Sequence, residues 1–520
     1  MTPSTHSEPI TELGAAALAA EIASGRLTSV EATRACIERC KQQSRLNALV
    51  QPCFDAALRD AQRADAAVAA GEPLGLLHGV PVTVKDCFAM RGTEVTLGIP
   101  GFSNGPAETD SPLVTRLRGA GAVLLGKTNV PQGMLLHECN NPVFGRTLHP
   151  TDPSRSPGGS TGGEASIVAS GGSPLGLGSD LGGSIRQPVH ACGVAGFKPT
   201  PRRLSLVGSS RAIPGMRAMR ISPGPIARHV DDLELAMRVL VDHTDSPRQP
   251  DEEAAPWRDP STIDVSELRI AYWTDDSFLP TAPAVRRAVE EAAAALRDAG
   301  ADVRKITPPD DREMMRVYVG LLSADGMRSL ARLVRGGEVD PQIRRQLRIG
   351  GLARWARVML GGALRLLGRR LLPDLLHWSG ARSADDYWRL CCDADRYREA
   401  FWPLAAEQFD GRPVDAILLP PFGVTAMPHG RALDVLPASS HCFYANLVDA
   451  PAGVVPWTTV RDDEQEFPRA PWGLAQWAAR AATSGSAGLP VGVQVMAPAW
   501  RDDTALAVMK RLEQLRSTPD

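Results

Sequence analysis

Residues 157–201 carry twelve glycines, paired at Gly158-Gly159, Gly162-Gly163, Gly171-Gly172 and Gly182-Gly183 and single at Gly176, Gly178, Gly193 and Gly196. A linker of that composition behaves as a flexible coil. This stretch cannot, because Ile167, Val168, Leu175, Leu177, Leu181, Ile185 and Val194 are interleaved with the glycines and have to be buried. It reads as tightly packed backbone, with glycine where main chain approaches main chain or a bound molecule closely.

The flanking sequence supplies a frame for such a segment. Short apolar runs at residues 79–84 (GVPVTV), 122–126 (AVLLG), 268–273 (LRIAYW), 414–419 (VDAILL) and 491–496 (VGVQVM) read as strands, and residues 285–299 read as a helix. Apolar residues at helical spacing over 13–22, then Thr28 and Glu31 in a capping-box pattern, predict two N-terminal helices, the second ending near Cys40. The expected class is α/β: a large, mixed, twisted β-sheet covered by helices on both faces.

Composition narrows the partners. The 57 basic and 59 acidic residues give a formal charge of -2, so no overall field draws the chain to nucleic acid. The nine cysteines are scattered without a CxxC pair or histidines at zinc-ligand spacing, which predicts free thiols, a reducing cytoplasm and no metal. Glu8, Glu12 and Glu21 near the start of the sequence argue against a secretory signal. No run reaches the length of a membrane span.

Two serines stand behind glycine pairs. Ser160 lies in SPGGSTGGE, and 24 residues later Ser184 lies in SDLGGSIR. A Gly-Gly-Ser loop exposes backbone N–H groups, here those of Leu181, Gly182, Gly183 and Ser184, where an oxyanion would need donors. A serine also needs a base. His78, His137, His149 and His190 are nearest, yet none stands in a recognised triad context, and they read as structural or surface residues. Lys85 follows an apolar strand that would carry its amine inward; a surface lysine is the competing reading. Desolvation lowers a lysine pKa and would make Lys85 a base near neutrality. The glycine loop lacks the GK[ST] ending of a phosphate-binding loop and the spacing of a dinucleotide fingerprint, which argues against a nucleotide cofactor.

Taken together, Lys85 in GVPVTVKD, Ser160 in SPGGSTGGE and Ser184 in GSDLGGSIR resemble the amidase signature family. The likeness is strong over residues 79–229 and resumes at 449–460 (DAPAGVVPWTTV) and 488–498 (GLPVGVQVMAP). Within the family it is nearest to the fatty acid amide hydrolase branch, through KTNVPQGML (127–135), NPVFGRT (141–147) and CGVAGFKPT (192–200). The resemblance implies one domain over residues 1–520, Ser184 as nucleophile, Ser160 as proton relay through a cis Gly159–Ser160 peptide, Lys85 as base, and no cofactor. It further implies that the Met134 carbonyl faces the site and that Ser179, Asp180 and Arg186 support it. Two departures, Thr161 for a serine and Ser179 for a threonine, keep a hydroxyl at each place.

Residues 341–373 hold Arg344, Arg345, Arg348, Arg354, Arg357, Arg365, Arg369 and Arg370 and no acidic residue. Leu352, Trp355, Val358, Met359, Leu360, Leu364, Leu366, Leu367, Leu371 and Leu372 lie among the arginines, with Leu375, Leu376 and Trp378 beyond. A basic amphipathic helical pair over about 341–378 is expected to lie on a membrane surface, peripherally; a core helix or a homodimer contact is the competing reading. The fatty acid amide hydrolase branch has a comparable cap, and the expected substrate is then a long-chain amide such as an N-acylethanolamine. The alternatives are a broad amidase for short aliphatic or aryl amides, and an amidotransferase component that acts on glutamine.

Overall fold

The computed structural model describes residues 9–366, 371–468 and 473–516. Glu8, Leu367, Arg369 and Arg370 lie outside the described residues. Thirteen strands are present among the described residues: β1 Leu49–Pro52, β2 Pro81–Lys85, β3 Val123–Thr128, β4 Asn140–Asn141, β5 Gly145–Arg146, β6 Leu175–Asp180, β7 Ala195–Lys198, β8 Ser222–Ala227, β9 Arg269–Tyr272, β10 Asp302–Lys305, β11 Ala416–Leu419, β12 Ala452–Thr459 and β13 Pro490–Met496. Eleven of them form one mixed sheet in the order β1-β3-β2-β6-β8-β7-β12-β13-β11-β9-β10, and β4 and β5 pair separately.

β3, β2 and β6 run parallel at one side, β10, β9 and β11 at the other, and antiparallel pairings through β8, β7, β12 and β13 join the two groups. β2, β3, β6, β7 and β8 are buried along their whole length, as strands covered on both faces must be. The glycine-rich stretch is part of this layer: it supplies β6, β7 and the helices Gly162–Ala169 and Arg186–Cys192.

The N-terminal helices are Ala15–Ala23 and Ser29–Gln42, and the second begins with the expected reciprocal capping box between Thr28 and Glu31. The described residues of the basic segment form three helices where a pair was expected: Pro341–Gly350, Arg354–Leu366 and Leu371–Trp378. The middle one turns apolar side chains outward. Trp355, Val358, Met359 and Leu366 are exposed, at 73%, 49%, 69% and 91%, whereas Arg357 and Gly361 are its buried residues. Arg357 donates to the Leu352 carbonyl, so the charge is satisfied by backbone while leucine and tryptophan face outward. No helix among the described residues is long and apolar enough to cross a membrane.

Candidate active site

Because β2 and β6 are parallel neighbours, with Val84 opposite Leu177, their C-terminal ends lie side by side. The crevice beyond the carboxyl ends of parallel strands is where open α/β sheets bind ligands. Lys85 ends β2, and Ser179 and Asp180 end β6. Ser160 arrives from the loop before the helix Gly162–Ala169, and its peptide bond to Gly159 is cis.

Lys85 is fully buried, and its Nζ lies 2.8 Å from Ser160 Oγ, 2.8 Å from Thr161 Oγ1, 3.2 Å from Ser179 Oγ and 3.3 Å from the Ser179 carbonyl. Burial pulls its pKa below the ordinary lysine value, against weaker upward pulls from Cys87, Asp180, Cys139 and Glu164. The hydroxyl of Thr161 donates to the Ser179 carbonyl at 3.2 Å, so toward Lys85 it acts as an acceptor. A neutral amine can then donate to Thr161 and Ser179 and keep its lone pair for the proton of Ser160. The two residues that depart from the family pattern are the ones that receive those donors.

Glu164 is a buried carboxyl that the motif reading passed over. Thr83 and Thr128 donate to its two oxygens at 2.5 and 2.9 Å. Burial pushes its pKa up to about 8, opposed by those hydroxyls and by Lys85, so both it and Lys85 shift toward their neutral forms. Gly176 makes room for it, since a Cβ there would lie 2.2 Å from Glu164 Oε2.

Ser184 is half-buried and faces the same pocket as Ser160, Ser179, Met134 and Leu181. The Thr161 N–H donates to its carbonyl at 3.1 Å, which ties the two serine loops together. Apolar lining comes from Leu135, Ile213, Met216 and Ile221, with Arg211 beside them. Met134, in the left-handed region at φ 59, follows Gly133 in the same conformation.

Asp180 and Arg186 are fully buried and paired through two hydrogen bonds of 2.9 and 3.0 Å. Burial would raise the Asp180 pKa, but Arg186, Lys198 and Asn446 hold it well below the usual carboxylate range. Asp180 also accepts from the N–H groups of Gly183 and Ile185. The Gly183 N–H is therefore engaged by a carboxylate rather than left open, unlike those of Leu181, Gly182 and Ser184, which have no protein partner among the described residues.

Histidines 78, 137, 149 and 190 each place Nε2 against a backbone carbonyl: those of Ala64, Gly182, Ala191 and Val424. His137 touches the Ser184 loop itself. Tyr318 does so too, donating to the Leu181 carbonyl. Neither belongs to a motif, and Tyr318 lies 137 residues from Leu181.

With this geometry in view, the Amidase family model matches residues 31–506. The chain belongs to the amidase signature family. It is accordingly an amide-hydrolysing enzyme. The chain is 35% identical over 449 residues to fatty-acid amide hydrolase 1 of Sus scrofa, covering 85% of this chain and 76% of that one. It is 31% identical over 523 residues to a glutamyl-tRNA(Gln) amidotransferase polypeptide of Salinispora tropica, covering 97% and 98%. A solved fatty acid amide hydrolase structure superposes with a TM-score of 0.82 at 26% identity, over 100% of this chain and 87% of that one.

Proposed function

We propose that this member of the family hydrolyses long-chain fatty acid amides, N-acylethanolamines among them, through an acyl-enzyme on Ser184. The observation that carries the chemistry is the desolvated Lys85 amine 2.8 Å from Ser160, beside a pocket that also holds Ser184. Neutral Lys85 takes the proton of Ser160 as Ser160 takes that of Ser184, and Ser184 Oγ bonds to the amide carbon. The oxygen becomes an oxyanion facing the N–H groups of Leu181, Gly182 and Ser184. Collapse breaks the C–N bond, and the proton held by Lys85 returns through Ser160 to the leaving amine. Water, deprotonated along the same route, then cleaves the ester. Met134 presents its carbonyl toward the bound amide, and Asp180 with Arg186 keeps the loop in shape.

Support for a lipid-derived substrate comes from the apolar lining and from the exposed apolar side chains of the helix Arg354–Leu366. The root of that cap meets the pocket loop: Gln132 accepts from the Asp340 N–H, Asn140 donates to Asp340, and Gln342 donates to Glu138. A peripheral position on the cytoplasmic face of a membrane fits this arrangement, with residues 341–378 against the lipid. Each buried methylene of an acyl chain would add about 0.8 kcal/mol of binding.

The test is a series of primary amides and ethanolamides of rising acyl length, with glutamine assayed beside them on the chain purified alone. The expected result is a kcat/KM that climbs with chain length and no glutaminase activity. Flat or falling values would favour the short-amide reading, and turnover of glutamine would favour the amidotransferase reading that the second relative suggests.

A further inference from the structure

The loop between β6 and the helix Arg186–Cys192 is gripped from behind at successive carbonyls. Tyr318, on the helix Asp311–Leu322, donates its hydroxyl to the Leu181 carbonyl at 3.1 Å. His137 Nε2 lies 2.9 Å from the Gly182 carbonyl, and the Gln187 N–H donates to the Gly183 carbonyl at 2.8 Å. In a planar trans peptide the carbonyl and the following N–H point in opposite directions, so holding one aims the other. The Leu181 carbonyl shares its peptide with the Gly182 N–H, and the Gly183 carbonyl shares its peptide with the Ser184 N–H. Both of those N–H groups have no protein partner among the described residues. The Gly183 N–H, in the peptide between them, is taken by Asp180.

Tyr318 is built for this contact. Its ring is 2% exposed and stacks on Phe443 at 3.8 Å and 8°. Burial drives the phenol pKa far up, so the hydroxyl keeps its proton and stays a donor. Position 182 is matched to it, since a Cβ on Gly182 would lie 2.3 Å from the Tyr318 hydroxyl oxygen, whereas the next nearest atoms are 3.3 and 3.4 Å away. A glycine is needed there so that the hydroxyl can reach the carbonyl behind it.

We propose that Tyr318 is a positioning residue for amide hydrolysis: through the Leu181 carbonyl, its hydroxyl aims the Gly182 N–H at the oxygen of the amide attacked by Ser184. The proposal rests on Ser184 being the nucleophile. Tyr318→Phe keeps the stacked ring and removes only the hydroxyl. It should lower kcat about tenfold, the worth of one hydrogen bond, with KM changed by less than about twofold. A trifluoromethyl ketone bearing the substrate's acyl chain provides the second readout. Its carbonyl carbon bonds to Ser184 Oγ as the Ser184 proton passes to Ser160 and the Ser160 proton to Lys85, which leaves the oxyanion on the former ketone oxygen. Its affinity should fall by the same factor as kcat.

Gly182→Ala should be more damaging than Tyr318→Phe, and the double variant should recover activity relative to Gly182→Ala alone, because the phenylalanine withdraws the atom the new methyl would strike. An unchanged kcat and ketone affinity in Tyr318→Phe, or a loss confined to KM, would overturn the proposal. So would a double variant no better than Gly182→Ala. Ser184→Ala run in parallel separates the two claims: if it is inactive while Tyr318→Phe behaves as wild type, only the role of Tyr318 fails. If Ser184→Ala still turns over substrate, the nucleophile assignment fails and takes the Tyr318 proposal with it.

Discussion

At the scale of single residues, burial shifts two ionisable groups of the site toward their neutral forms, while the buried Asp180 and Arg186 hold each other charged. Lys85 is lowered and Glu164 raised, each chiefly because charge is disfavoured where water is excluded. Glu164 gives this a thermodynamic signature. Its pKa rises from 4.5 to about 8 on folding, so between those values the folded chain binds more protons than the unfolded chain. Stability from this group is complete below about pH 4.5 and is lost as pH rises through about 8. Glu164→Gln, which does not ionise, should flatten that decline in denaturant midpoints measured from pH 5 to 9. A wild-type decline that persists unchanged in the variant would contradict the assignment. Lys85, Ser160 and Ser184 were legible as a set because each sits in a distinctive local string. Glu164 was in plain view within SPGGSTGGE, but its partners Thr83 and Thr128 belong to other strands. Tyr318 and His137 left no local signal, because their contacts are made through the fold to backbone carbonyls that any residue could carry.

At the scale of elements, alternating apolar runs located β2, β3, β9, β11 and β13 to within a few residues, and the capping box located the helix Ser29–Gln42. The interior of the sheet was harder to read. β6 (LGLGSD), β7 (AGFK) and β8 (SPGPIA) are rich in glycine and proline, residues normally depleted from strands, and only their burial between neighbours makes them strands. The described residues of the basic segment hold three helices where the sequence suggested two, and the first of them ends at the glycine pair Gly350-Gly351. Its middle helix presents Trp355 and Met359 outward with basic residues close by. Trp355→Ser with Met359→Ser should weaken sedimentation with anionic phospholipid vesicles by about tenfold or more, since each side chain would lose its burial in the lipid interface. Turnover of a short, water-soluble amide should be unaffected. Equal binding of wild type and variant to those vesicles would contradict a lipid-facing role.

At the scale of the whole molecule, one eleven-stranded sheet brings the separated motifs together at the carboxyl ends of its interior strands β2 and β6. The strand ends bring Lys85 beside Ser179. The glycine-rich loops need no side chains of their own to close around the pair, and the buried Asp180–Arg186 pair anchors the second loop to Asn446 and Gln494 from distant parts of the chain. The family membership follows from this architecture together with the match over residues 31–506. The central claim is that one serine is activated by an uncharged lysine through another serine. Labelling with a fluorophosphonate, followed by mapping of the modified peptide, tests it most directly. The label should fall on Ser184, disappear in Ser184→Ala, and form at least about a hundredfold more slowly in Lys85→Ala. Label on a different serine, or undiminished labelling without the Lys85 amine, would contradict it.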